Sequence, residues 1–287
     1  MGEGDQTVAL LLFRSMMPVY LGSLGRLVKL PYVGSQQVQS EERYNFSSTL
    51  EGKRKAQVKP NGPRTWALSA DHFRPNEHSL LSQFADGAWG PGPFQFIPAD
   101  APHTNLMTPD GSLTIDSQPS AHVIRGGPVD LGADGWASSS LLSDDPLVNF
   151  EMFGSMVYTP VIQGKPVTVS AWISAVPGST ARVRLYWYNS SAQLLGGVLS
   201  REVQPSEGMA RVSATGSPPA GAVSCRVVTL RAASLVRPAI TWTDQMMPWS
   251  VGSGCRQAVV SGSSRDLVLA VPGHTYSNLS FTVTEVG

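Results

Sequence analysis

Two segments in the second half of the chain alternate apolar and polar residues with a period of two. The first, Lys165–Ile173, places four small or branched apolar side chains on one face and Trp172 with two hydroxyls on the other. The second, Ala181–Tyr188, directs two aliphatic residues and Trp187 to one face and arginines and tyrosines to the other. Successive side chains of a strand point to opposite sides of its sheet. Both segments therefore predict half-buried strands.

Shorter β-like segments separated by turn residues follow in the same half. The 28 glycines and 22 prolines show no collagen-like period, and charged residues make up 15% of the chain. Many short strands joined by tight turns are typical of sandwiches and jelly rolls. The sequence therefore predicts an all-β protein with a C-terminal jelly-roll β-sandwich. Its further predicted strands are Val223–Leu230, Gln257–Val260, Leu267–Ala270 and Leu279–Val286.

The first half combines strand patterns with one short helix. Arg43–Leu50 alternates like a strand, and an Asn-Gly-Pro turn predicts that Lys53–Lys59 and Arg64–Ala70 form a hairpin. Glu77–Phe84 carries an apolar stripe at helical spacing, and the aromatic segment Trp89–Ile97 follows a Gly/Pro corner. These patterns predict a β-rich N-terminal domain with a single helix.

The predicted domain boundary lies in a stretch rich in Pro, Asp, Gly and Ser. Residues 99–130 have this composition, which is typical of a linker or an irregular crossover. We therefore predict a β-rich domain over 17–120 and a jelly-roll sandwich over 121–287. Residues 1–16 are interpreted as a candidate start-site extension that precedes Met17, and no function is assigned to them.

Charge and hydropathy argue against two classes of partner. Twenty-one basic and 21 acidic side chains give a formal net charge of zero, whereas nucleic-acid binders usually carry a basic excess. The apolar run Val8–Phe13 ends at Arg14, which is far too short to cross a bilayer. We therefore predict neither nucleic-acid binding nor membrane insertion.

No pattern in the sequence predicts catalysis, a metal site or a cofactor. The five histidines are scattered without ligand spacing, and Cys225 and Cys255 are too few and too far apart for a zinc motif. Neither a nucleophile elbow nor a phosphate-binding loop is present, and no two carboxylates are paired by spacing. Whether the two cysteines are bonded stays open at this point. The sequence predicts a protein that is not an enzyme.

Two sets of motifs resemble a known family. Tyr20–Val28, Thr49–Val58, Pro63–Trp66 and Phe84–Phe94 are similar to the N-terminal region of minor tail proteins of long-tailed phages that infect actinobacteria. The resemblance implies a structural component of the virion, placed near the tail tip. It further implies other tail proteins as partners and a homo-oligomer that follows the symmetry of the tail.

The second set lies in the C-terminal half. Pro160–Trp172, Val183–Tyr188, Ile240–Asp244 and Thr284–Gly287 resemble jelly-roll modules, related to carbohydrate-binding modules, at the C-terminal end of such tail proteins. This resemblance implies the same fold and suggests contact with the host surface. Glycan recognition by an adhesin or a carbohydrate-binding module without catalytic activity is the alternative function, and a secreted hydrolase accessory domain is a third.

Aromatic residues beside polar groups are the candidate glycan-binding residues. Sugar sites on β-sandwiches combine flat rings with a few convergent polar groups, as other ligand sites do. Two platforms satisfy this requirement, although a Trp or Tyr in a sandwich more often packs in the core. The first comprises Trp172, Arg184, Tyr186 and Tyr188, and the second Trp242, Asp244 and Trp249.

The Gly/Pro corner of the N-terminal domain is a candidate protein interface. Trp89, Phe94 and Phe96 supply large contact areas next to residues that allow a sharp turn. The alternative is that these rings fill the core of their own domain. The sequence leaves both roles open.

Overall fold

A computed structural model describes most of the chain from residue 18 onward. The predicted extension at 1–16 lies outside the described residues. These are residues 18–30, 35–40, 44–48, 54–58, 63–73, 75–115, 123–143, 150–151, 158–271 and 274–286.

Strands dominate these ranges, which contain two α-helices. The elements up to residue 143 are β1 (Val19–Ser23), β2 (Arg26–Leu30), β3 (Ser35–Ser40), β4 (Tyr44–Ser48), β5 (Arg54–Val58), β6 (Arg64–Phe73), α1 (Pro75–Ala85), β7 (Phe94–Ile97), α2 (Pro109–Ser112), β8 (Val123–Gly126), β9 (Val129–Asp130), β10 (Trp136–Ala137) and β11 (Ser140–Ser143). The remaining strands are β12 (Phe150–Glu151), β13 (Thr159–Pro160), β14 (Val167–Ala175), β15 (Arg182–Tyr188), β16 (Leu194–Leu199), β17 (Ala210–Gly216), β18 (Ser224–Leu230), β19 (Ala232–Thr241), β20 (Cys255–Val271) and β21 (His274–Glu285).

The strands form antiparallel sheets, as the all-β prediction requires. A seven-stranded sheet has the order β2-β1-β7-β20-β21-β6-β3. The front sheet is β17-β14-β19-β11-β8, and the back sheet is β12-β18-β15-β16 with β13 also paired to β18. Two small hairpins, β4-β5 and β9-β10, complete the arrangement.

The chain divides into two compact units. The first contains the described residues of 18–22, 28–99 and 255–286, and the second contains 23–27 with 100–254. The sequence prediction assigned 121–287 to a single C-terminal domain. In the structure β20 and β21 pair instead with β7 and β6 of the first unit. The seven-stranded sheet therefore unites strands from both ends of the chain.

The core of the first unit is built from alternating strand residues and one helix face. Trp66 and Leu68 of β6 and Phe281 of β21 are almost fully buried, and α1 adds Leu81 and Phe84. Burying one such side chain contributes about 1.5–3 kcal/mol. The predicted short helix is thereby confirmed. Among the described helices, none is long and apolar enough to cross a membrane.

A charged pair closes the edge of this core. The guanidinium of Arg64 donates from Nε to Oε2 of Glu285 at 2.8 Å and from Nη2 to Oε1 at 2.9 Å. The same guanidinium lies 4.8 Å from the ring centroid of Trp66. Two parallel charge-assisted bonds fix the orientation as well as the contact. The pair links β6 to β21 and so holds the two ends of the chain together.

One predicted hairpin of the first half is wrong. Residues 54–58 pair with 44–48, so β5 forms a hairpin with β4. β6 pairs instead with β3 and β21. The physical reason is burial, because alternate residues of β6 are apolar and require a sheet on the side of the core. A local turn motif was outweighed by this long-range pairing.

The second unit is a sandwich of the front and back sheets. In β15 the predicted inward residues Val183, Leu185 and Trp187 are buried, and the intervening residues are partly exposed. Val169 in β14 is also fully buried, as its alternation predicts. Gly216 of β17 has no side chain where Val198 and Trp187 approach, which permits close packing between the sheets. The predicted sandwich is confirmed.

A long hairpin arm extends the first unit's sheet. β20 pairs with β7 at Cys255 and Ala258 only, whereas its pairing with β21 continues to Val271. Residues 261–270 are all exposed, and Leu267 in this range is 61% exposed. In this range β20 has no described strand partner opposite β21. We call residues 261–271 with 274–280 the arm.

Candidate functional site

Trp172 of the first predicted platform is buried. Its side chain is 4% exposed and packs with Ala137 and Val236 in a small apolar cluster on the outer face of the front sheet. The guanidinium of Arg211 lies 4.4 Å from its ring centroid. Trp172 belongs to β14 of the front sheet, whereas Tyr186 belongs to β15 of the back sheet. The structure therefore does not bring Trp172 to the rest of that platform.

The other residues of the first platform do share a face. Arg184 Cζ lies 4.4 Å from the ring centroid of Tyr186, and the rings of Tyr186 and Tyr188 are 6.4 Å apart. Tyr158, which the sequence analysis did not select, meets Tyr188 edge-on at 5.1 Å. We call Tyr158, Tyr186 and Tyr188 the tyrosine strip. Its rings contact one another, and Arg184 lies over Tyr186.

Partial burial alters the chemistry of the tyrosine strip. The pKa of Tyr188 is raised, first by desolvation and then by the neighbouring phenols of Tyr158 and Tyr186. The raised pKa keeps the Tyr188 phenol a hydrogen-bond donor up to a higher pH than an ordinary phenol. The strip is an aromatic surface bordered by the guanidinium of Arg184.

The second predicted platform is also divided. Trp242 is 5% exposed, and its Nε1 donates to the carbonyl of Pro160 at 3.3 Å. Lys165 Nζ lies 5.4 Å from its ring centroid. Asp244 is exposed, and neither it nor Trp242 lines the pocket in which Trp249 is found.

An exposed tryptophan stands at the end of the β9-β10 hairpin. Ala137 is buried, so its neighbour Trp136 points to the opposite side of the strand and is 66% exposed. The connecting turn contains Gly132 and Gly135 with φ of 66° and 75°, a left-handed conformation that glycine adopts without strain. Asp130 Oδ1 accepts from the Gly132 amide at 2.9 Å. The hairpin thus presents Trp136 on a short, internally bonded support.

Arg237 joins this hairpin to Trp249. Its Nη1 donates to the Asp134 carbonyl at 2.8 Å and its Nη2 to the Trp136 carbonyl at 2.7 Å. Its Cζ lies 4.6 Å from the ring centroid of Trp249. Arg237 has φ of 46° and stands with Pro238 at a bulge in β19. A non-glycine residue in this conformation is strained, and such strain often accompanies functional sites.

These residues line one surface pocket of about 200 Å³. Its walls combine two indole rings, one guanidinium, serines and aliphatic side chains. We call it the Trp136 pocket, and its lining residues are Ser112, Leu113, Trp136, Ala137, Ser138, Ser139, Arg237, Trp249 and Val251.

Asn105 forms hydrogen bonds with backbone groups next to the lining of the Trp136 pocket. Its fully buried side chain donates from Nδ2 to the carbonyls of Pro238 at 3.2 Å and Ser250 at 3.0 Å. Its Oδ1 accepts from the amides of Met107 and Ile240. The carbonyl of Pro238 also accepts from Trp249 Nε1 at 3.3 Å. One side chain therefore ties the bulge and the loop that carries Trp249 together.

Two glycines allow the loop after Trp249 to approach closely. A Cβ on Gly252 would lie 2.1 Å from the Met107 carbonyl oxygen, and one on Gly254 would lie 2.0 Å from the Leu106 oxygen. The Gly252 amide donates to Ser112 Oγ at 2.8 Å. Any larger residue at either position would push the loop away. The wall formed by Val251 and Ser112 depends on this contact.

The three candidate interface residues lie in or against the core of the first unit. Phe96 is fully buried, Phe94 is 7% exposed, and the two contact Trp66 and Phe84 respectively. Trp89 stacks on Phe84 with ring centroids 4.9 Å apart. These positions favour the core role that the sequence analysis left open beside the interface.

Buried thiols and acidic groups add no candidate reactive centre. Cys225 and Cys255 are both buried and both free. Burial raises the pKa of both thiols, to about 12 for Cys255, where the charge of Glu285 contributes as well. Among the residues that the structure describes, no three His, Cys, Asp or Glu side chains are grouped to hold a metal ion.

Sequence reasoning found Trp249 but missed Trp136 and Arg237. The run from Gly126 to Trp136 contains five further polar or glycine turn residues and a Pro, a composition that predicts a tight loop. Nothing in the sequence marks the bulge at Arg237. Its position follows from pairing between β14 and β19, which local pattern does not encode.

Comparison with solved structures gives similarities, among them a partial one to a xylanase. No family model matches the sequence, and no curated protein matches it. A part covering 42% of this chain is similar to 25% of the N-terminal endo-1,4-β-D-xylanase 10B of Clostridium thermocellum, comprising CBM22-1 and GH10 modules complexed with xylohexaose. The sequence identity is 13% and the TM-score is 0.28. Similarity at this level assigns neither a fold nor a ligand to this chain.

Proposed function

We propose that this protein binds glycans through its sandwich unit, as a recognition protein without catalytic activity. The observation that supports the proposal is the Trp136 pocket, in which a 66% exposed indole faces solvent beside Arg237 and Trp249. An exposed indole leaves apolar surface in contact with water, which is unfavourable. A ligand that stacks on the ring would cover this surface.

The chemistry of the pocket suits a sugar. The apolar C–H face of a pyranose can stack on an indole ring, while hydroxyls need donors and acceptors at the edge. Trp136 provides the ring, and Ser138 and Arg237 provide polar groups in the same lining. The support is preorganised by Asn105 and the bonded hairpin, which reduces the entropy lost on binding.

Mutation of the exposed ring tests the proposal. The full-length protein is applied to a printed glycan array, and the affinity of the best glycan is then measured by calorimetry. We expect Trp136→Ala to weaken that affinity at least tenfold, because stacking on the ring is lost. The thermal unfolding temperature should stay within about 2 °C, since the exposed side chain contributes little to folding.

A matched substitution separates the site from general surface effects. Leu194 is 54% exposed on β16 of the back sheet, so Leu194→Ala removes a comparable exposed apolar group outside the pocket. Its affinity for the same glycan should equal that of the wild type. Equal binding by Trp136→Ala and wild type, or no glycan bound on the array, would reject the proposal.

A second proposal is that the chain is a structural component of a phage tail near its tip. The arm favours this function, since it carries Leu267, Val268 and Leu269 exposed beside a strand edge that pairs with no other described strand. Exposed apolar residues and an open edge are typical of surfaces that pair with another chain. Other tail proteins and further copies of this chain would be the partners, and the virion tail its location.

Imaging of particles tests this second proposal. Antibody against the full chain, labelled with gold, is applied to purified phage whose proteins are identified by mass spectrometry. Label at the tail tip supports the assignment and shows that the chain is accessible there. Particles that lack the chain in their mass spectrum overturn it. The glycan proposal would survive that result, because it depends on the pocket alone.

A further inference from the structure

The Trp136 pocket carries a single charged side chain. Arg237 is that residue, and the other eight lining residues are serine, alanine, leucine, valine or tryptophan. A positive group in a partly enclosed, mostly apolar lining acts more strongly on a ligand than the same group in open solvent. The pocket is therefore polarised toward a negative ligand group.

The guanidinium of Arg237 is fixed before any ligand arrives. Two backbone carbonyls, of Asp134 and Trp136, accept from its Nη1 and Nη2, and its Cζ lies 4.6 Å from the ring centroid of Trp249. A guanidinium has five N–H donors, so these two bonds leave three for a ligand. Its strained backbone, with φ of 46°, is held by the surrounding bulge. This orientation is what bidentate recognition requires.

Arg237 forms no ion pair with any carboxylate of the described residues. Ion pairs among the described residues include Arg64–Glu285, Arg182–Glu202 and Arg201–Glu207. Two acids belong to the same hairpin. Asp130 accepts from the Gly132 amide. Desolvation lowers the pKa of Arg211, and the charge of Asp134 opposes that lowering. A guanidinium with donors to spare and no ion pair to a described carboxylate is suited to a carboxylate from the ligand.

The size of the pocket limits what can enter. Its volume of about 200 Å³ is below the range of about 300–1,000 Å³ that drug-sized ligands occupy. The other tryptophans of the sandwich unit, Trp172, Trp187 and Trp242, are at most 5% exposed and so form no row of platforms. One ring at the end of a chain fits this arrangement better than an extended polysaccharide.

We infer that the Trp136 pocket selects a terminal sugar ring that bears a carboxylate, of the uronic acid type, over the corresponding neutral ring. The inference rests on the proposed glycan-binding function. The sugar ring would stack on Trp136, and the carboxylate would accept two parallel hydrogen bonds from Arg237. Charge at the ligand thus supplies specificity, and the indole supplies contact area.

Matched sugars test the inference on the wild-type protein. Affinities are measured by calorimetry for three pairs of methyl glycosides, each a uronide and its neutral hexoside, in the gluco, galacto and manno configurations. We expect the uronide to bind at least tenfold tighter in at least one pair. That ratio should fall as salt rises from about 20 mM to about 500 mM, because screening weakens the charge interaction.

Two variants assign the preference to Arg237. Arg237→Gln should reduce the ratio to about one, whatever its effect on the affinity for neutral sugars. Arg237→Lys should retain part of the ratio, since a charge remains without the planar fork. Arg182→Gln, on the back sheet, should leave the ratio unchanged. Circular dichroism checks folding, and if Arg237→Gln fails to fold, the wild-type ratio and its salt dependence decide.

The outcomes separate the inference from the function on which it rests. Equal affinity within every pair, or binding of neutral glycans with none of the uronides, overturns carboxylate selection and leaves glycan binding standing. Failure of every glycan on the array to bind overturns both. A preference that survives in Arg237→Gln overturns the role of that residue.

Discussion

The two outer faces of the sandwich differ in whether their aromatic rings pack against other rings or face solvent. On the back sheet the tyrosine strip is self-contacting, with Tyr158 and Tyr186 on either side of Tyr188 and Arg184 over Tyr186. Beside the front sheet, Trp136 is 66% exposed, and no aromatic contact to its ring is found among the described residues. Both faces are rich in rings, but one face leaves a ring free for a ligand.

The difference comes from how each ring is supported. The tyrosine strip lies on regular strands, where neighbouring side chains on one face are close enough to pack together. Trp136 stands on a short hairpin beside a bulge, where regular pairing ends. Irregular backbone next to a rigid sheet is where proteins commonly place binding residues. An aromatic count therefore predicts a site less well than the local backbone does.

Replacement of the buried front-sheet tryptophan gives the largest expected effect. Trp172→Ala should lower the free energy of unfolding by about 3–5 kcal/mol, because it leaves a cavity in the cluster with Ala137 and Val236. Trp136→Ala should change it by less than about 0.5 kcal/mol. Guanidinium denaturation followed by circular dichroism measures both. Similar losses in the two variants would contradict the contrast between the buried and the exposed ring.

Removal of the side-chain amide of Asn105 should destabilise the protein and weaken glycan binding at the Trp136 pocket. Asn105→Ala removes the hydrogen-bond partner of the Ser250 carbonyl and of the Met107 and Ile240 amides, and one of two donors to the Pro238 carbonyl. We therefore expect a loss of about 2–4 kcal/mol in the free energy of unfolding. Trp249 and Arg237 lose their support, and glycan affinity should fall with them. Near-ultraviolet circular dichroism and calorimetry measure these changes. Unchanged affinity in a destabilised protein would show that Asn105 does not position the pocket.

The buried thiol of Cys225 in the back sheet should make the stability of the protein depend on pH. Burial raises the pKa of Cys225 above its unfolded value of about 8.5, so its stabilising effect is complete below about pH 8 and is lost as pH rises. We expect this loss to lower the free energy of unfolding by about 1–2 kcal/mol at pH 10. Denaturation at pH 7.5 and at pH 10 should show a smaller decrease in the free energy of unfolding for Cys225→Ala than for the wild type. An equal decrease in both proteins argues against a buried neutral thiol.

A tyrosine strip substitution should have the smallest effect. Tyr186→Ala removes the stacking partner of Arg184 and should cost about 1 kcal/mol of stability. Glycan affinity should change less than twofold, because the Trp136 pocket does not include this residue. Calorimetry with the glycan chosen for Trp136→Ala measures this. A tenfold loss of affinity would move the site to the back sheet.

The fold was predictable where one face of a strand is buried. Alternation located β14, β15 and β18 within two residues, and the helical stripe located α1. It missed β19, because the sequence of that strand does not alternate apolar and polar residues, although β14 and β19 are both buried on both faces. It also divided β20 into two strands, since Ser261–Asp266 is polar on both faces. The continuous pairing of β20 with β21 through this polar segment is not indicated by local pattern.

The site was less predictable than the fold. Of the residues chosen from sequence, Trp249 lines the pocket, while Trp172 and Trp242 are buried. A tryptophan next to polar residues looks the same in sequence whether it packs beneath a loop or faces solvent. Only the pairing of distant segments, such as Asn105 with Pro238 and Ser250, decides between these cases.

The pairing of β20 and β21 with β6 and β7 has a consequence for how the protein is made. On the ribosome the second unit emerges complete by residue 254, whereas the first still lacks two central strands of its sheet. The described residues of 18–99 therefore cannot complete their sheet until residues 255–286 have been synthesised. A chain truncated after residue 254 would lose Phe281 and Glu285 from the core and edge of its N-terminal half.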